Sequence, residues 1–144
     1  MKKMNNKGFS LVELIIVIAI MAILVGVLAP QFMKYVEQSR RSSDISTAEE
    51  IRQAIIADIS DGNITGSGTT VAFSGGVTDA ASVKTGNGAY ATSISDEPEI
   101  RGNLVSGKFL VTYDCVAGTC EVYADSYLLT SEGGASEYKA ATSK

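Results

Sequence analysis

The chain has 144 residues, with twelve Lys and Arg against sixteen Asp and Glu, for a formal net charge of −4. That length holds one domain plus an anchor, and the acidic balance argues against direct nucleic-acid binding, which relies on clustered cations. There is no His, so the usual nucleophile–base pair of a hydrolase is missing.

Residues 1–8 carry Lys2, Lys3 and Lys7 and no acid. An apolar run follows, in which the sixteen residues from Leu14 to Ala29 have neither a charge nor a polar side chain. Extended to residues 9–32, the run is long enough to cross a bilayer, which takes about 20 residues as helix. Glu13 stands inside it, where an ionised side chain costs roughly 2.5–3.5 kcal/mol. No Lys or Arg within the run can pair with it, so the cation must come from elsewhere. A secretory signal peptide fits poorly, because its apolar region runs about 7–15 residues. A plain single-pass anchor leaves Gly8 and Glu13 without a reason. The basic leader should stay cytoplasmic and send the carboxyl terminus outward.

Gly8-Phe9-Ser10-Leu11-Val12-Glu13-Leu14, after a short lysine-rich leader, resembles the processing motif of the type IV pilins and pseudopilins. The resemblance covers about residues 7–60. It implies that a prepilin peptidase cuts between Gly8 and Phe9 and that Phe9 becomes N-methylphenylalanine. Glu13 would then be the fifth mature residue, the position of the family's glutamate, and would pair with a Phe9 amine during assembly. Removing residues 1–8 removes three of the twelve basic residues and no acidic one, leaving −7. The resemblance further implies a homopolymeric filament of pilin subunits, membrane assembly machinery as partner, and no cofactor. The precursor would sit in the cytoplasmic membrane and the assembled filament outside the cell. A pseudopilin of a secretion or DNA-uptake machine is the alternative within the family. A membrane-anchored surface binding domain is the alternative outside it.

Gly26 and Pro30 weaken one turn of the apolar helix. Proline has no N–H to offer the carbonyl of residue 26, and glycine is itself a poor helix former. The resemblance implies local unwinding there in the filament. Over residues 33–61 the spacing of Ile45, Ala48, Ile51, Ile55, Ile56 and Ile59 predicts an amphipathic continuation of the helix. Glu49, Glu50, Arg52, Gln53 and Asp58 lie largely off that stripe. Residues 37–44 are polar throughout and read as helix or loop. Gly62 is a natural stop.

Residues 62–144 form the expected head, giving an α+β protein: a long helix packed on a small antiparallel sheet. Residues 63–70 read as a Gly/Ser/Thr-rich loop, 71–74 as a short strand and 78–91 as ambiguous. Residues 108–115 and 120–129 are the clearest strands, with Phe109, Val111, Tyr113 and Cys115 on one face. Tyr113, Tyr123 and Tyr127 are expected to fill the sheet's faces, and the last dozen residues to fray. Cys115 and Cys120 bracket a hairpin-length loop, which favours a structural disulfide in an exported domain. A redox or metal pair is poorly supported without His or further Cys. Asp96, Glu97 and Glu99, braced by Pro98, read as a solvated acidic turn, so no metal is assigned. No catalytic arrangement is found, and the chain is not expected to be an enzyme.

Overall fold

The computed structural model describes residues 9–73, 76–77 and 98–141. The leader with Gly8, the stretch 78–91, and Asp96 and Glu97 lie outside them. Helix α1 spans Leu11–Ser60, so the polar residues 37–44 are helical and not a loop. The chain divides into two compact units, with the boundary inside α1 between Val36 and Glu37.

In the first unit every residue from 9 to 35 is exposed. Among the described residues the apolar side chains therefore find little to pack on, whichever way they point: Leu11, Ile16, Leu24, Leu28 and Phe32 are all more than half exposed. Pro30 sits inside the helix without ending it, and having no N–H it offers no donor to the residue 26 carbonyl.

The second unit begins at Glu37. Here α1 turns its isoleucine stripe inward: Ala48, Ile51 and Ile55 are fully buried, with Ala54 beside them, and Ile45, Ile56 and Ile59 pack partly against the same core. The helix ends as expected at Gly62, whose φ of 73° is open to glycine. The Gly62 N–H donates to the Ile59 carbonyl at 3.1 Å and the Asn63 N–H to Asp58 at 2.8 Å, the paired bonds of a Schellman end. Asp58 departs from the expected pattern: it is buried, and its Oδ1 accepts from Asn63 Nδ2 at 3.3 Å.

Five described strands form one antiparallel sheet in the order β2-β1-β3-β4-β5: β1 Ser67–Phe73, β2 Gly76–Val77, β3 Leu110–Asp114, β4 Thr119–Ala124 and β5 Tyr127–Leu128. Strand β1 starts inside the segment read as a loop, because Thr69 faces Thr112 of β3 in register and their hydroxyls bond at 3.1 Å. β-Branched residues suit a paired strand even in a polar stretch. The expected strand over 120–129 is two strands, broken where Asp125 adopts φ 55°, a conformation Asp tolerates in turns. Phe109, Val111 and Tyr113 are buried on the inner face with Val122 and Ala124, as the alternation requires. Tyr123 and Tyr127 are half-buried.

As far as the described residues run, the carboxyl-terminal segment is ordered into a helix and not frayed. Helix α2 spans Glu132–Ala140, with Ser131 as N-cap accepting the Gly134 N–H at 3.1 Å. Gly134 permits a close approach to β5, since a Cβ there would lie 2.1 Å from the Leu128 carbonyl oxygen. Tyr138 is fully buried and anchors the helix to the core.

Candidate functional site: the amino-terminal helix and the polar clasp of the head

Phe9 is 89% exposed at the start of the described chain. Ser10 precedes the first helical residue, and its carbonyl accepts the Leu14 N–H at 3.2 Å. Glu13, in the first turn, bends back so that Oε2 accepts the Ser10 backbone N–H at 3.0 Å. That is one half of a capping box, in which the third helical residue satisfies the N-cap amide. The spacing of Ser10 and Glu13 carried that signal in the sequence. Gly26 has open space around it, with nothing within 4 Å of an added Cβ. Gly26 and Pro30 thus lie on one exposed stretch of unbroken helix.

The expected Cys115–Cys120 bridge is corrected by the structure, which holds both as free thiols. The register explains it: Cys120 lies opposite Tyr113, and Asp114 opposite Thr119 closes the ladder, so Cys115 falls beyond the last pair. Its thiol donates instead to the Ile64 carbonyl at 3.3 Å. The turn between the cysteines is shaped by Asp114, whose Oδ1 accepts from Val116 and Ala117 N–H at 2.8 and 3.1 Å. Burial pushes the Cys120 thiol up to about 12, and burial first, then Asp114, raises Cys115. Neither is a thiolate at neutral pH, and thiolates are the reactive form.

The head contains a polar cluster that the pattern of residues did not reveal. Glu37, Arg41 and Asp44 occupy one face of α1 by their spacing, and Arg41 and Asp44 are almost fully buried. Arg41 Nη1 donates to the carbonyls of Tyr138 and Lys139 at 3.2 and 3.3 Å and also to that of Ala141. The first two are among the last carbonyls of α2, which a helix leaves without internal donors, and the third belongs to its C-cap. A guanidinium there satisfies them and opposes the negative end of the helix dipole. Glu37 Oε1 accepts Arg41 Nε at 2.9 Å and the Asn103 N–H at 2.7 Å. Asp44 accepts the Arg101 and Gly102 amides and the Tyr138 hydroxyl, each at 2.8 Å. Burial, then the bond to Asp44, holds the Tyr138 phenol well above its ordinary range. This clasp ties residues 101–103 and α2 to α1 and binds the head to itself. The backbones of Glu99 and Lys108 form an isolated antiparallel β-bridge.

An exposed apolar helix whose first turn carries a capping glutamate, in a chain that also has an α+β head, is the arrangement to set beside known proteins. The family described as the prokaryotic N-terminal methylation motif matches residues 3–29. A fimbrial protein of Moraxella nonliquefaciens is 29% identical over 102 residues, 71% of this chain and 63% of that protein. A type IV major fimbrial protein FimA of Dichelobacter nodosus is 39% identical over 64 residues, 44% of this chain and 41% of that protein. The FimA of strain VCS1703A is 34% identical over 77 residues, 54% and 48% of the two chains. The chain thus spans about half the length of the curated relatives it matches. No solved structure matches it. The chain therefore carries the amino-terminal methylation motif of the prokaryotic pilins and is similar to type IV fimbrial proteins over part of its length.

Proposed function

We propose that this chain is a structural subunit of a type IV pilus, held in the membrane by its amino-terminal helix and then polymerised through it. The observation that carries this reading is the helix exposed on all sides from residue 9 to 35. Apolar surface of this extent is unfavourable in water and demands lipid or the same helix from other subunits. The names of the relatives, fimbrial protein and type IV major fimbrial protein, support the filament over other uses of such an anchor.

In this reading the prepilin peptidase cuts between Gly8 and Phe9 and Phe9 is N-methylated. The basic leader remains inside, the head faces outward, and membrane assembly machinery draws subunits into the fibre. The cut creates the amine that Glu13 lacks, and methylation leaves that amine protonatable. The test is amino-terminal mass analysis of fibres sheared from producing cells: N-methylphenylalanine followed by Ser10 is expected. Gly8→Val should accumulate uncut precursor. Normal processing of that variant, or fibres lacking this chain, would overturn the proposal.

A further inference from the structure

From Glu37 to Asp58, α1 carries eight charged side chains, and six of them are engaged within the head. Glu37 pairs with Arg41 and Glu49 with Arg52. Asp44 accepts two amides and the Tyr138 hydroxyl, and Asp58 accepts from Asn63. The other two, Arg40 and Glu50, are opposite in sign, exposed, and without a partner among the described residues. Their own helix cannot supply one. The acids at helical spacing from Arg40 are Glu37 and Asp44, both already engaged. Around Glu50 that spacing holds Ser46, Thr47, Gln53 and Ala54, and no cation.

We propose that Arg40 pairs with Glu50 of a second copy of this chain when subunits pack side by side. The inference rests on the pilin reading for the presence and direction of that copy. Helices that enter the membrane the same way run parallel, and Arg40 and Glu50 lie roughly 15 Å apart along the axis and about 80° apart around it. Arg40 then reaches Glu50 of a copy displaced by that rise toward the amino-terminal end. A contact with such a displacement is heterologous, so it repeats along a fibre instead of closing. An apolar helix exposed on all sides from residue 9 to 35 gives little register by itself, whereas opposed charges reward one offset and penalise others.

The test is charge exchange in the full chain, read as sheared-fibre yield divided by processed subunit in the same cells. Arg40→Glu and Glu50→Arg should each lower the ratio about fivefold, the upper range for an exposed ion pair. The double exchange should restore the wild-type ratio, with head stability in detergent micelles unchanged in all three. A double exchange no better than the single reversals overturns the pair, and so do reversals that assemble like the wild type. If Arg40→Glu weakens the head through its neighbours Glu37 and Asp44, the neutral cycle of Arg40→Gln, Glu50→Gln and both decides. A double variant no worse than either single upholds the pair, and losses that multiply in full overturn it. Wild-type fibres with an unrescued exchange leave the pilin reading standing, while a wild-type chain that forms no fibres overturns both.

Discussion

Arg41 and Tyr138 stand ninety-seven positions apart and meet twice: the guanidinium donates to the Tyr138 carbonyl at 3.2 Å and lies 5.9 Å from the centre of its ring. One side chain of α1 thus both caps α2 and stacks against its only buried side chain.

Arg41→Ala should therefore release α2. Removing one member of a buried charged network costs roughly 3–5 kcal/mol, here because Glu37 and the carbonyls of α2 lose their donor. Denaturant titration of the full chain in detergent micelles should show that loss. Lys139, in the last turn of α2, should become an early trypsin site in the variant while α1 stays helical. An unchanged midpoint with α2 still protected would remove the clasp from the account.

Gly102 tests the same cluster from the other side. A Cβ there would lie 2.6 Å from the Tyr138 hydroxyl oxygen and 3.0 Å from Asp44 Oδ2. Gly102→Ala should destabilise the head by about 1–3 kcal/mol, the ordinary cost of overpacking. Tyr138→Phe removes the obstructing oxygen but also the bond to Asp44, costing on the order of 1 kcal/mol. The double variant should be less destabilised than the sum of the two, because the clash is shared. Strict additivity in a double-mutant cycle would show that Gly102 and Tyr138 do not touch.

How far these relationships were legible differs residue by residue. Ala48, Ile51 and Ile55 announced their burial by period alone, because a helix stripe is a local pattern. Glu13 was legible as a charge that needed a partner, and its spacing from Ser10 also encoded the cap. Arg41 and Asp44 looked like members of a polar run, since their partners beyond α1 lie 57 to 100 positions away. Helix α2 was hidden for the same reason: its segment is rich in Gly and Ser, and tertiary contacts at Tyr138 and Gly134 override weak local preference. Cys115 and Cys120 had disulfide-like spacing, but spacing does not fix register, and register decides which side chains face each other.

The thiols give a pH prediction. In the unfolded chain Cys120 should titrate near its ordinary value of 9.0, and in the folded head burial pushes it up to about 12. A raised folded value favours the protonated, folded form, so the stabilisation is full below about pH 9 and fades as pH climbs through 12. Alkaline unfolding of the full chain should be blunted in Cys120→Ala, whose lower starting stability is measured separately at neutral pH. Thiol titration under denaturing, non-reducing conditions should find both Cys115 and Cys120 free. A mass two protons below the reduced chain would contradict the register argument.

Pro30 lies inside a continuous α1 in the subunit, and Gly26 is the residue whose carbonyl it leaves without a donor. Packing in a fibre can extend this turn at small further cost, since glycine adds about 1 kcal/mol of weakness relative to alanine. Pro30→Ala should leave cleavage and insertion intact while changing subunit rise or lowering fibre yield. A fibre reconstruction with unbroken helix through residues 22–31 would refute local melting.

Under the proposed function, Glu13 links processing to assembly. Its carboxylate accepts the Ser10 amide at 3.0 Å, and in the proposed membrane-held precursor that bond would offset part of a charge cost of roughly 2.5–3.5 kcal/mol. Glu13→Leu removes both the charge and the cap, and should insert at least as well as the wild type. Glu13→Gln keeps an oxygen for the Ser10 amide but has no charge for an incoming amine. If the carboxylate guides register through charge, both variants should be processed and both should enter fibres poorly, with the amine left unpaired among apolar side chains. If the cap alone matters, Glu13→Gln should assemble and Glu13→Leu should not. The measurement is sheared-fibre yield divided by processed subunit in the same cells, compared across the three chains. Equal ratios for all three would mean that this carboxylate does not guide assembly, and its place inside an apolar span would need another cause.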